Sequence, residues 1–79
     1  MMTFDTLIKL AKRPTYIKIL SILCEEPATV TKLVRETGSK RSRIKQYLRD
    51  LVEEGLVKEV YIGNLKVYVL TDKARVLCQ

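Results

Sequence analysis

The stretch Ser39–Val57, SKRSRIKQYLRDLVEEGLV, decides how the rest of the chain is read. In it Ile44, Tyr47, Leu48 and Leu51 recur at i, i+3, i+4 and i+7, the spacing of a helix that lays one face on a core. At about 100° per residue, Ser42, Lys45, Gln46 and Arg49 fall opposite that seam, with Arg41 and Arg43 on its flanks. One side of the helix is therefore apolar and the other cationic. Ser39 is expected to cap the first turn by accepting from an unpaired backbone N–H, and Gly55 to end the helix through a positive φ, which gives a helix over about 40–54.

The charge of the chain gathers around this helix. Lys32, Arg35, Lys40, Arg41, Arg43, Lys45 and Arg49 stand against Glu36 alone, so this window carries the whole net charge of +6 and the remainder sums to zero. A scattered charge only keeps a protein soluble, whereas a clustered one draws a polyanion. Taken alone the stripe also fits a solvated helix face, so its neighbours decide between the two.

Immediately upstream, VTKLVRET places Val30, Leu33 and Val34 on one face of a helix over about 30–37, with Thr29 as its cap and Gly38 as its end. Only about three residues then separate it from the basic helix, the sequence shape of a helix-turn-helix. Downstream, LVKEVYI and LKVYVLT (strands near 56–62 and 65–70) are rich in β-branched and aromatic residues and flank Gly63-Asn64, which reads as a hairpin with a two-residue turn. Such a turn pairs Ile62 with Leu65, Val60 with Val67 and Lys58 with Val69 on one side, leaving Val57, Tyr61, Tyr68 and Leu70 on the other. Both sides are largely apolar, although a ribbon on one core needs only one such side. Either the N-terminal helix or a second subunit covers the second face.

Three further helices complete the order. Residues 3–12 put Phe4, Leu7, Ile8 and Ala11 on one face, with Thr3 as cap. Pro14 suits the first turn of a helix over about 14–26 that carries Tyr16, Ile17, Ile19, Leu20, Ile22, Leu23 and Cys24 nearly all round, so it is expected at the centre of the fold. Thr71 is expected to cap a last helix over 72–78, with Ala74 and Leu77 turned inward. The expectation is one α+β, mainly α domain over 1–79 with the order α-α-α-α-β-β-α, a winged helix-turn-helix with a short β-hairpin wing.

Composition removes other function classes. Seventy-nine residues form one small domain that buries only about 60% of its unfolded surface, which favours a homodimer. No apolar run approaches the roughly 18 residues of a membrane span, and the first residues, with Asp5, lack the layout of a signal peptide, so a cytoplasmic protein is expected. The chain has no histidine, and no nucleophile is paired with a base, which argues against an enzyme and a transition-metal site. No cofactor is expected. Cys24 and Cys78 are too few for a disulfide framework and sit at no metal-ligand spacing. Cys24 reads either as a buried small hydrophobe or, with Cys78, as half of a disulfide within the chain or between subunits.

With these elements in place, LIKLAKRPTYIKILSIL resembles the opening of ArsR-type and related MarR-type winged-helix regulators. TVTKLVRETG is similar to their second helix, IKQYLRDLVEEGLV to their recognition helix and its exit, and VYVLTDKARVL to their second wing strand and the Thr-capped helix after it. The likeness covers nearly the whole chain in order, and it implies a regulator that binds double-stranded DNA. The family pattern departs at the turn, with apolar residues where Thr37 and Ser39 stand and a Ser or Thr cap at the position of Lys40. The Cys-rich metal site that some ArsR-type sensors carry on this helix has no counterpart in Lys40–Gln46.

The helical wheel and the family pattern together assign Arg41, Ser42, Lys45 and Gln46 to base edges of the major groove, where Arg suits guanine and Gln suits adenine. Lys40, Arg43 and Arg49, with Lys32 and Arg35 of the preceding helix, are assigned to phosphates. Lys66 and the Gly63-Asn64 tip are expected to touch the backbone or minor groove, adding affinity more than specificity. A homodimer would set two such helices about 34 Å apart on a palindromic site. The expected function is a sequence-specific transcriptional regulator, a repressor rather than an activator; the alternative is a winged-helix module for protein docking, architecture or replication.

Overall fold

A computed structural model describes residues 14–78 of the chain. The helix expected at 3–12, with its Thr3 cap, lies outside the described residues. Helix α1, Pro14–Glu25, begins on the proline, whose missing N–H would be unpaired there in any case. It buries Tyr16, Ile19, Leu20 and Leu23, an i, i+3, i+4, i+7 stripe facing α2 and β2. Its central position needs correction in one respect. Ile17, on the opposite side of the stripe, is 48% exposed, and Ile22 and Cys24 are only partly buried.

After α1, the chain turns through Glu26-Pro27, and Ala28 pairs with Tyr68 in an isolated antiparallel bridge. Helix α2, Val30–Thr37, follows. The Thr29 side chain accepts from the Lys32 backbone N–H at 3.1 Å, and Gly38 closes the helix at φ 73° with its N–H on the Val34 carbonyl. Leu33 is fully buried, with Val30 and Val34 packed at the core's edge.

Helix α3 spans Arg41–Glu53. Ser39 does not cap it. Lys40 occupies the N-cap position in an extended conformation, and no side chain bonds the first turn. The physical reason lies two residues before Ser39. The Thr37 hydroxyl donates to the Leu33 carbonyl at 2.7 Å and accepts from the Ser39 N–H at 3.2 Å, which fixes the turn and starts α3 one residue later than a Ser39 cap would. At the far end the Gly55 N–H reaches the Val52 carbonyl and the Leu56 N–H the Leu51 carbonyl, with Gly55 at φ 77°. That crossed pair satisfies carbonyls which the helix itself leaves unpaired.

Strands β1, Val57–Ile62, and β2, Leu65–Leu70, form a two-stranded antiparallel sheet. The register sets Ile62 opposite Leu65, Val60 opposite Val67 and Lys58 opposite Val69, as a two-residue turn at Gly63-Asn64 requires. One face delivers Val57, Tyr68 and Leu70 to the core. On the other, Val67 is buried outside that cluster, while Ile62 and Leu65 near the tip are more than half exposed.

The last helix is shorter than the pattern suggests: α4 covers Asp72–Arg75, and Val76–Cys78 tighten into a 3₁₀ turn. Ala74 is fully buried, but Leu77 is 37% exposed, because the tighter turn rotates it off the inward face. Thr71 stands at the N-cap without capping. Its hydroxyl instead donates to the Gly55 carbonyl at 2.6 Å, and Lys73 Nζ donates to the Glu54 carbonyl at 3.0 Å, so α4 is fastened to the exit of α3. Cys24 and Cys78 are joined by a disulfide with a Cα separation of 5.6 Å, which ties the 3₁₀ turn to the end of α1. The fold is thus mainly helical with one antiparallel hairpin, a winged helix-turn-helix.

Candidate nucleic-acid interface

Helices α2 and α3 meet across the three-residue turn 38–40, and burial of Leu33, Ile44, Leu48 and Leu51 at that junction holds the outer face of α3 in solvent. Thirteen residues give α3 a length of about 20 Å at 1.5 Å per residue. On its exposed side stand Arg41, Ser42, Arg43, Lys45, Gln46 and Arg49, with Lys40 exposed in the turn and Arg35 exposed at the end of α2. The apolar seam and the cationic face therefore separate as the heptad-like spacing requires.

Packing divides this face into two flanks. Ser42, Arg43 and Gln46 border a shallow depression beside Tyr47. Lys45 and Arg49 lie on the other flank, over a groove of about 480 Å³ floored by Val30, Leu48, Val52 and Tyr68 and closed by Glu59 and Lys66 of the hairpin. Arg41 belongs to neither: its guanidinium donates to the Thr31 hydroxyl at 3.0 Å, lying back across the start of α2.

Two of the expected phosphate ligands are occupied by carboxylates. Lys32 is paired with Glu26 on a surface shared with Lys18, Glu25 and Glu36, so the structure does not bring it together with the cations of α3. That hydrogen bond and the lysine charge hold the Glu26 carboxyl below its ordinary value. Lys66 reaches Glu59 at 3.3 Å and lies 5.9 Å over the Tyr68 ring. The hydrogen bond to Glu59 raises the lysine, with the nearby Tyr68 adding to it. The Tyr68 phenol is also raised, chiefly by burial and then by donating to Glu59 at 3.1 Å. At the tip, Gly63 adopts φ 62°, and Tyr61, Ile62 and Leu65 of the flanking strand ends are exposed.

Asp50 and Glu59 are the residues of this surface that sequence reasoning did not single out. Asp50 accepts from Gln46 Nε2 at 3.1 Å and from the Tyr16 hydroxyl at 2.5 Å. The Gln46–Asp50 contact had a signal in its i, i+4 spacing. The position of Glu59 followed from the hairpin register, which sets it opposite Tyr68 and beside Lys66. Among the described residues no three Cys, Asp or Glu side chains gather as a metal site would require, and no helix is long and apolar enough to cross a membrane.

Comparison with known proteins agrees with this architecture. The family model described as bacterial regulatory protein, arsR family, matches residues 13–59. The transcriptional repressor BigR from Xylella fastidiosa superposes with a TM-score of 0.83 at 27% identity, over 94% of this chain and 74% of that one. A point mutant of ZitR from Lactococcus lactis gives 0.77 at 25% identity, over 81% of this chain and 46% of its own, so the chain spans about half of that protein's length. HlyU from Vibrio cholerae shares the fold, at 0.78 and 22% identity over 91% and 79%. No curated protein sequence matches the chain.

Proposed function

Because the chain belongs to the arsR family of bacterial regulatory proteins, whose members and structural neighbours are transcriptional regulators rather than enzymes, we propose that it regulates transcription by binding double-stranded DNA site-specifically. The observation that carries this reading is the exposed face of α3. Its cations stand clear of the core behind a three-residue turn, and the window that holds them carries the whole net charge.

In this reading α3 enters the major groove, about 12 Å wide. Ser42, Lys45, Gln46 and Arg41 meet base edges, and Arg41 does so by leaving Thr31. Arg35, Lys40, Arg43 and Arg49 take phosphates. Lys32 and Lys66 join them as outer contacts, since surface ion pairs such as theirs contribute little in water and a phosphate can replace the carboxylate. Gly63 and Asn64 approach the backbone. The protein acts as a cytoplasmic homodimer and as a repressor on a palindromic site, with half-sites about 34 Å apart.

A second reading, a module for protein docking or for architectural or replication roles, draws on one observation: the wing tip exposes Tyr61, Ile62 and Leu65, which suit a protein partner better than a phosphate backbone. Selection from a random duplex library tests both. Enrichment of a two-fold symmetric sequence supports the regulator and its dimer. A library that stays random, with no salt-dependent retention, leaves the docking module.

A further inference from the structure

Asp50 stands on α3 one turn after Gln46 and takes two hydrogen bonds. Gln46 Nε2 donates to one oxygen at 3.1 Å, and the Tyr16 hydroxyl donates to the other at 2.5 Å. Tyr16 is itself 5% exposed and packs its ring on Tyr47 at a centroid distance of 4.7 Å. A continuous chain of contacts thus runs from the buried side of α1 through Asp50 to an amide on the exposed face of α3.

The chemistry of this contact fixes which way the amide points. A carboxylate oxygen only accepts, so the atom facing Asp50 must be Nε2, because Oε1 in its place would set acceptor against acceptor. Nε2 carries two N–H groups. One is taken up by Asp50, and the other remains beside Oε1, leaving a donor and an acceptor for a ligand. Adenine offers the complement in the major groove, N7 as acceptor and the N6 amino group as donor, whereas guanine offers two acceptors. An unanchored glutamine has a broad terminal torsion and samples both orientations.

We infer that Asp50 is a positioning residue for base choice: by anchoring the Gln46 amide it makes this face of α3 select adenine over guanine at the base pair Gln46 meets. The inference rests on the DNA-binding reading above.

The test compares the intact chain with Asp50→Asn, Gln46→Ala and the double variant, each by duplex selection, by binding to random DNA across a salt series and by thermal melting. Gln46→Ala should erase an adenine preference at one position. Asp50→Asn, whose amide can donate or accept, should lower the adenine-to-guanine ratio at that same position about fivefold or more, the floor for one bidentate pair. The salt slope on random DNA should stay as it was, and adding Asp50→Asn to Gln46→Ala should change nothing more there. An adenine preference that Gln46→Ala erases but Asp50→Asn leaves intact overturns the inference, as does a loss spread equally over all positions. If the intact chain binds no duplex in a salt-dependent way, the DNA reading itself falls. Should Asp50→Asn fail to fold, side-chain amide relaxation of Gln46 in the unmodified protein decides. An order parameter near that of rigid backbone, about 0.85, supports the anchoring, and one below about 0.6 overturns it.

Discussion

Ala28 and Tyr68 exchange both of their backbone hydrogen bonds, at 3.1 and 2.8 Å, so the segment between α1 and α2 lies against the hairpin as a one-residue strand. Through this bridge the wing is fixed to the helices that position α3. Ala28 is 2% exposed, and its methyl group already meets the core. Ala28→Leu is therefore expected to cost about 1–3 kcal/mol by overpacking. Urea unfolding should show a lower midpoint at an unchanged slope.

Gly38 takes φ 73° with open space where a Cβ would stand, so the cost of a side chain there is conformational alone. Gly38→Ala should destabilise by about 1–2 kcal/mol. The same denaturation experiment checks it, and the far-ultraviolet circular dichroism of the folded state should be unaltered.

What the sequence made legible was the periodic part. The i, i+3, i+4, i+7 seam of α3, the Thr29 cap and the Gly63-Asn64 turn are each fixed by a local rule, and the structure has the corresponding contacts. The misreadings arise where another group competes. Ser39 is not the cap because the turn that Thr37 fixes, by bonding the Leu33 carbonyl and the Ser39 N–H, places Lys40 at the N-cap and starts α3 at Arg41. Thr71 turned to the Gly55 carbonyl, sixteen residues away, and Leu77 left the core when the last turn tightened. On the candidate interface the wheel separated the charged face from the seam, but it could not show that Arg41 bonds Thr31, that Glu26 holds Lys32 or that Asp50 anchors Gln46. The first two partners come from tertiary packing, which spacing does not encode; the i, i+4 spacing of Gln46 and Asp50 allows their contact but does not choose the rotamers that make it.

The Cys24–Cys78 bond closes a loop with a sequence separation of 54. A loop of that length restricts the unfolded chain, and removing the bond is expected to cost about 2–4 kcal/mol. Melting with and without a thiol reductant measures this. Cys24→Ser should reproduce the reduced value and make the reductant ineffective.

Tyr68 provides a pH-dependent term. Its phenol is raised in the fold, first by burial and then by the hydrogen bond to Glu59. A group whose folded value lies above its unfolded value stabilises the fold fully below the unfolded value, near 10, and that contribution disappears as pH rises through the folded value. Stability should therefore fall in the alkaline range above about pH 10, and Tyr68→Phe should remove that part of the decline. Unfolding curves collected at stepped alkaline pH give the comparison.

Whether the cationic face of α3 and its surroundings grip a nucleic-acid backbone is read from the salt dependence of duplex binding. Six cations are assigned to phosphates: Lys32, Arg35, Lys40, Arg43, Arg49 and Lys66. If each releases one counterion, the logarithm of the association constant for duplex DNA should fall with the logarithm of salt concentration at a slope of about −5 per protomer. Arg43→Ala or Arg49→Ala should each flatten that slope by about one unit. A slope near zero for the unmodified chain, or one that neither substitution changes, would show that these cations do not hold DNA phosphates.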